Sequence, residues 1–258
     1  MSAVPNSLSN TDIEALTRSV VNEHNRNNPD RVVLAVGIVG SHSYGLSTPE
    51  SDIDMAGVSG QILEEYCGLG RNDDTWTRQN DPALPDTKVW ELQKFAQLAA
   101  SANPAILEFL YLDDDLYVKK TLIFNAIIDQ RHVFLSNRVR LTYGGYARQQ
   151  LKRFMSRDGS FSSDTNKRKA KHARHIARLA YQGEQLLRTG TLTVRLDDEG
   201  VERCRAAEAL VYDPPALERY FEEVLLPRID NAPSVLPDEP NRYAINDMLY
   251  RIRKDLDL

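Results

Sequence analysis

Two acidic residues, Asp52 and Asp54, stand two positions apart in the segment Ser51–Asp52–Ile53–Asp54, which runs straight into apolar residues. If that segment is a strand, positions i and i+2 project from the same face. Two carboxylates held side by side repel unless a cation sits among them. Hard oxygen ligands on a rigid element suit Mg²⁺, which keeps some of its waters and accepts phosphate oxygens as well. A pair of such ions can stabilise both the attacking and the leaving oxygen of an in-line displacement. An apolar run ends in Gly40–Ser41, and ten residues separate Ser41 from Asp52. A glycine lets backbone approach a phosphate without a Cβ in the way. The Ser41 hydroxyl and neighbouring N–H groups are candidate triphosphate donors.

The elements that must carry these residues are legible in outline. Residues 31–41, RVVLAVGIVGS, are rich in β-branched and apolar side chains and predict a strand buried on both faces. Residues 41–51 read as a turn-rich linker, and 52–58, DIDMAGV, as a strand with one polar face. Residues 68–85 read as a loop, 86–90 as a short third strand and 91–102 as a helix. Asn103–Pro104 starts another apolar helix. Before all of these, residues 11–28 predict a helix capped by Thr11, with Glu14 completing a capping box. After about residue 115 the reading is helical over 119–156, 166–189, 201–211, 215–226 and the C-terminal amphipathic stretch, with 191–196 the one later strand. The expectation is an α/β (α+β) chain with a small mixed sheet in residues 1–115, followed by a mostly helical, substrate- or acceptor-binding domain in 116–258.

The segment GIVGSHSYGLSTPESDIDMAGV resembles the signature of the DNA polymerase β-type nucleotidyltransferase superfamily: strand, Gly-Ser, about ten residues, Asp-x-Asp. More closely it resembles a family of predicted bacterial and phage nucleotidyltransferases, some of them linked with RNA-ligase repair genes. Residues 89–112 and 171–196 also fit, so the resemblance covers about residues 32–196. It implies two Mg²⁺ ions, with Mn²⁺ as an alternative, a nucleoside triphosphate as substrate, and release of pyrophosphate. It also implies a third carboxylate on a neighbouring strand. Asp86, which opens the predicted third strand, is the candidate; Glu91, at the strand–helix junction, is the alternative. The family has a Lys/His-containing helix where Lys169, Lys171 and His172 stand, and phosphate contact is the role this implies for them.

Charge distribution bears on the acceptor. Residues 138–178 hold twelve Lys/Arg and two acids inside a chain of net charge −5. Such asymmetry suits a polyanion-facing surface. The stretch is a candidate for binding the triphosphate, an RNA or DNA acceptor, or both; the expected acceptor is a nucleic-acid end, RNA or another single strand, with Tyr143 and Tyr146 as candidate base-stacking residues. A solvated helical face is the alternative reading of the basic stretch. Nucleotidylation of a protein or small molecule, or a non-catalytic nucleic-acid-binding module on the same fold, are the alternatives for the whole chain. His172 and His175, one helical turn apart, have no acid or cysteine at ligand spacing. His42 is placed either at a phosphate or on the surface. The two cysteines, Cys67 and Cys204, suit a reducing cytoplasm rather than a disulfide framework. No apolar run reaches the roughly 20 residues that span a bilayer, and no Walker-type Gly-Lys loop is present.

Overall fold

The computed structural model describes residues 10–48, 51–68, 74–79, 84–156 and 163–256. Residues 69–73 and 80–83 of the expected loop, and Arg157 and Asp158 of the basic stretch, lie outside the described residues. Two compact units emerge. The first comprises residues 1–100, 108–134 and 241–258, and the second 101–107 and 135–240.

The first unit is built on a five-stranded sheet in the order β3-β4-β2-β1-β5. Its strands are β1 (Arg31–Val39), β2 (Asp54–Gln61), β3 (Thr75–Arg78), β4 (Asp86–Glu91) and β5 (Tyr117–Lys120). The β2–β4 pair is parallel and the other three pairings are antiparallel, which makes the sheet mixed. Helix α1 (Asn10–Asn27) covers one face, where Val20 packs with Val33, Val36 and Met55. Thr11 lies inside this helix rather than at its cap, because the helix already includes Asn10.

The opposite face carries α4 (Leu92–Ala100), α6 (Leu122–Asp129) and the C-terminal helix, α12 (Arg242–Leu256); α5 (Pro104–Leu110) is divided between the two units, with Glu108–Leu110 in the first. Phe109 centres an aromatic cluster there. Trp90, Phe95, Tyr117 and Phe124 surround it with ring centroids 5.6–6.5 Å away. Gly37 of β1 makes room for that layer, since a Cβ there would lie 2.8 Å from Leu112 Cδ1 and 3.3 Å from Phe109 Cε2.

Several sequence expectations are corrected. Strand β2 is buried along nearly its whole length, not polar on one face, because it lies in the middle of the sheet between β4 and β1. The expected loop 68–85 contains the edge strand β3, and β5 occupies part of the expected helix 119–156. Both are four-residue strands made by pairing with a neighbour, too short for a period to appear.

The second unit is helical. Helix α7 (Arg138–Ser156) packs on α8 (Ser163–Thr189), and α8 packs on α9 (Asp198–Ala209). Helix α10 (Pro214–Arg219), a π-helical turn (Tyr220–Leu225) and α11 (Leu226–Asp230) follow. The expected strand 191–196 is not one. Its alternate residues Leu192, Val194 and Leu196 are buried, while Gln185 Oε1 accepts from Thr193 N and Gln182 Nε2 donates to the Val194 carbonyl. The alternation is real, but α8 rather than a second strand supplies the hydrogen bonds.

Candidate active site

The end of β1 and the starts of β2 and β4 lie at one edge of the sheet. Val39 pairs with Asp54 across the antiparallel β1–β2 ladder, and Asp54 pairs with Asp86 across the parallel β2–β4 ladder. Register partners point to the same face, so Asp54 and Asp86 present adjacent carboxylates. Asp54 is half-buried and Asp86 is exposed.

Gly40 follows Val39 with φ 74° and ψ −145°, a backbone conformation that side chains other than hydrogen rarely adopt. A Cβ at this position would lie 2.7 Å from Asp54 Oδ2. The same turn leads the chain away from β2, so the ladder ends at Val39–Asp54. Asp52 is therefore outside the strand, in an exposed position two residues before it. The expectation that Asp52 and Asp54 share a strand face is corrected on that ground.

Ser41 opens a four-residue helix, α2 (Ser41–Tyr44). The Gly40 carbonyl accepts from the backbone N–H groups of Ser43 at 3.1 Å and Tyr44 at 3.3 Å, and from Ser43 Oγ at 2.8 Å. His42 is buried, and its Nε2 lies 3.4 Å from the Ser51 carbonyl oxygen, which ties the two ends of the linker together. Tyr44 Oη donates to Glu108 Oε2 at 2.6 Å.

Glu91 is elsewhere. It pairs in register with Ser59 at the far end of β4, about 16 Å from Asp86 at about 3.3 Å per strand residue. There it is buried, accepting from Arg253 Nη2 at 2.7 Å and from Gln93 N at 2.6 Å. The structure thus brings together Gly40, Ser41, Asp54 and Asp86 at one sheet edge, with Asp52 just before β2, and does not bring Glu91 to them. Among the described residues, no three His, Cys, Asp or Glu side chains gather as a ready-made metal-holding group. The donor chemistry nevertheless fits a hard cation: two register-paired carboxylates, a third exposed one nearby in sequence, and no soft ligand in the set.

Lys169 and His172 belong to α8 in the second unit. His172 packs edge-to-face on Phe154, with centroids 5.9 Å apart, and Lys169 is half-buried. His175 Nδ1 lies 3.0 Å from Arg178 Nη2 and accepts from it. Burial, then the Arg178 charge, push the His175 pKa down to about 3.

The basic stretch is less available than its sequence suggests. Arg138, Arg148 and Arg174 are ion-paired with Glu239, Asp230 and Glu208. Arg140 donates to the backbone carbonyls of Ile229, Asp230 and Ala232. Arg178 is buried and donates to Gln182 Oε1 at 2.7 Å. Lys152, Arg153, Arg168 and Lys171 remain exposed. Tyr143 is fully buried, which removes it as a stacking residue, whereas Tyr146 is 42% exposed.

The sequence profile of the RNA repair pathway DNA polymerase beta family matches residues 10–210. The chain belongs to that family. As a polymerase β-like nucleotidyltransferase family, it places the chain among proteins that generally use divalent metals. An uncharacterized 38.9 kDa protein from the nrdC-mobD intergenic region of Enterobacteria phage T4 is 30% identical over 126 residues. That match covers 45% of this chain and 36% of the phage protein, so the chain spans about a third of that relative's length. A nucleotidyltransferase-like protein from Exiguobacterium sibiricum 255-15 aligns over 94% of this chain and 75% of its own, at 14% identity and a TM-score of 0.33. Among the described residues, no helix is long and apolar enough to cross a membrane.

Proposed function

We propose that this family member moves a nucleoside monophosphate from a nucleoside triphosphate to an acceptor hydroxyl and releases pyrophosphate. The observation that carries the reading is the register pairing of Asp54 with Asp86, beside a Gly40 whose missing Cβ leaves space against Asp54. Asp52, Asp54 and Asp86 would hold divalent cations, Mg²⁺ or Mn²⁺. When bound, these would supply Lewis acidity and neutralise phosphate charge.

The chain's own residues do the rest. Gly40 and Ser41 offer backbone N–H and hydroxyl donors to the β- and γ-phosphates. Asp86, the more exposed of the paired carboxylates, orients the acceptor hydroxyl and accepts its proton. The acceptor oxygen forms its bond to the α-phosphorus as the bond from that phosphorus to the bridging oxygen breaks. The bonding electrons leave with pyrophosphate. Positioning and electrostatics supply most of the acceleration in such transfers.

The acceptor we favour is a nucleic-acid end, RNA above all. The family's description names RNA repair, and exposed Lys152, Arg153, Arg168 and Lys171 lie along α7 and α8. Lys169 and His172 would contact phosphate from the same helix. The test incubates the protein and Mg²⁺ with each α-labelled NTP and separate pools of RNA, single-stranded DNA and protein. Transfer to RNA that disappears in Asp54→Asn supports the reading. Label on the protein pool alone moves the acceptor to a protein side chain. No transfer to any pool, with no metal-dependent NTP binding, rejects the enzyme.

A further inference from the structure

We infer that Tyr44 and Glu108 are positioning residues for the Gly40–Ser41 turn, acting through a hydrogen bond that fixes α2 to the buried helical layer. The inference rests on the nucleotidyl-transfer reading of the same site.

Helix α2 is a short lever with two distinct ends. At its start, Gly40 abuts the Asp54 carboxylate closely enough that a Cβ would come within 2.7 Å of Oδ2. At its end, Tyr44 reaches across 64 residues of sequence to Glu108, with Oη 2.6 Å from Oε2. Between them, the Gly40 carbonyl is capped by Ser43 N, Tyr44 N and Ser43 Oγ, so a movement of Tyr44 is passed on to Gly40.

The anchor is buried. Glu108 is 6% exposed, and the next residue, Phe109, is fully buried at the centre of the aromatic cluster. Gly37 lets that cluster sit close against β1, the strand that ends at Gly40. Gly45 closes α2 in the left-handed conformation, with φ 74° and ψ 20°, and turns the chain away immediately after Tyr44. The phenol thus meets a carboxylate on the core helix, and both are held by elements that converge on the turn.

A hydroxyl whose only task was packing would affect stability alone. A hydroxyl that sets the turn affects how the triphosphate is held. Its loss should therefore raise the KM for NTP more than it lowers kcat. The hydrogen bond from Tyr44 Oη to the Glu108 carboxylate is worth roughly a tenfold change in an equilibrium.

The test compares wild type, Tyr44→Phe, Glu108→Leu, Glu108→Gln and the Tyr44→Phe/Glu108→Leu double variant. Two measurements are made on each: Mg²⁺-dependent binding of non-hydrolysable analogues of the four NTPs, and steady-state transfer with the best NTP. Expected are KM and Kd raised roughly tenfold in Tyr44→Phe and Glu108→Leu, with kcat within about threefold. The double variant should be no worse than the singles, and Glu108→Gln, which keeps an acceptor oxygen, should recover most of the loss. Folded variants with unchanged KM and Kd, or additive losses in the double variant, overturn the positioning role while leaving the transfer reading intact. Wild type that neither binds an analogue nor transfers a nucleotide rejects the transfer reading, and the positioning role falls with it. Should Glu108→Leu not fold, Tyr44→Phe and Glu108→Gln still decide, because neither empties a buried volume.

Discussion

Asp54 and Asp86 are register partners on adjacent parallel strands, so two carboxylates leave one face of the sheet at the same edge. Like charges placed directly opposite one another destabilise a sheet by a fraction of a kcal/mol, about 0.2–1. A cation reverses the sign of that contribution. Asp54→Asn and Asp86→Asn should therefore leave stability in chelator unchanged or slightly raised. Both should lose the Tm increase that Mg²⁺ gives wild type, since a ligand that binds only the native state stabilises it. Nucleotidyl transfer should fall in both, and the double variant should be little worse than either single one. Differential scanning fluorimetry with and without Mg²⁺ checks the first part. A wild-type-like Mg²⁺ response in the double variant would remove the metal from this edge.

Gly40→Ala tests the space beside Asp54. The φ of 74° already disfavours a side chain, at about 1–3 kcal/mol for strained backbone. The new methyl would also meet Asp54 Oδ2. A lowered Tm together with lost transfer is expected, whereas Ser41→Ala should keep the Tm and raise the KM for NTP. If Gly40→Ala is as active as wild type, the close approach of turn and carboxylate has no part in the reaction.

The apolar run into Gly40, and a strand following the Gly-Ser linker, come from local chemistry and were legible in the sequence; that this strand opens at Asp54 rather than Asp52 was not. Asp86 on a neighbouring strand came from the resemblance, but its register directly opposite Asp54 was not legible, because it depends on a parallel ladder between strands separated in sequence by β3. Strands β3 and β5 escaped for a related reason: Thr75–Arg78 and Tyr117–Lys120 become strands by adding to β4 and β1, not by their own pattern. The charge count over 138–178 misled in the opposite direction. The acids that pair Arg138 and Arg148, namely Glu239 and Asp230, lie 101 and 82 residues away, so a local sum sees the arginines without their partners.

Glu91 provides the contrast for the third carboxylate. Its side chain and that of Arg253 are 6% and 4% exposed, and Arg253 also lies over the Tyr66 ring at 3.6 Å while donating to the Gln61 carbonyl. Removing one member of a buried ion pair typically costs about 3–5 kcal/mol. Glu91→Gln should therefore unfold at markedly lower denaturant, yet transfer nucleotide at a near-normal rate per folded molecule. Urea melts and active-site-normalised rates measure both. A stable, inactive Glu91→Gln beside an active Asp86→Asn would move the catalytic carboxylate to Glu91.

His175 sets a pH dependence in the second unit. Its folded pKa is lowered to about 3 by burial, then by Arg178, from a model-compound value of 6.5. Between these values the unfolded chain binds the proton that the folded chain excludes. Stability associated with this group is therefore fully present above about pH 6.5 and is lost as pH falls toward 3. The slope from one such proton approaches about 1.4 kcal/mol per pH unit. His175→Gln should flatten the slope in urea melts below about pH 6.5, where the unfolded imidazole takes up the proton that the folded one excludes. An unchanged slope would mean that His175 titrates freely in the native state.

The basic stretch gives the last and sharpest separation between acceptors. Arg138, Arg140, Arg148, Arg174 and Arg178 are engaged inside the second unit, and Lys152, Arg153, Arg168 and Lys171 are further exposed basic residues of α7 and α8 that a polyanion would meet. Each phosphate neutralised on a single strand contributes about −0.7 to the slope of log K against log salt, so about four contacts give a slope near −3. Replacing Arg168, Lys169 and Lys171 with Ala should flatten that slope and weaken binding to all sequences alike, because phosphate contacts position a strand without reading its bases. Removing internally paired Arg138 and Arg174 instead should lower Tm and leave the slope alone. Oligomer binding by RNA and single-stranded DNA across a salt series, with both variants, makes the comparison. If wild type binds no oligomer even at low salt, α7 and α8 hold no nucleic acid, and the transferred nucleotide goes to a protein or small-molecule hydroxyl. If the Arg138/Arg174 variant flattens the slope as much as the triple variant, the internal ion pairs open on binding and the whole stretch meets the strand.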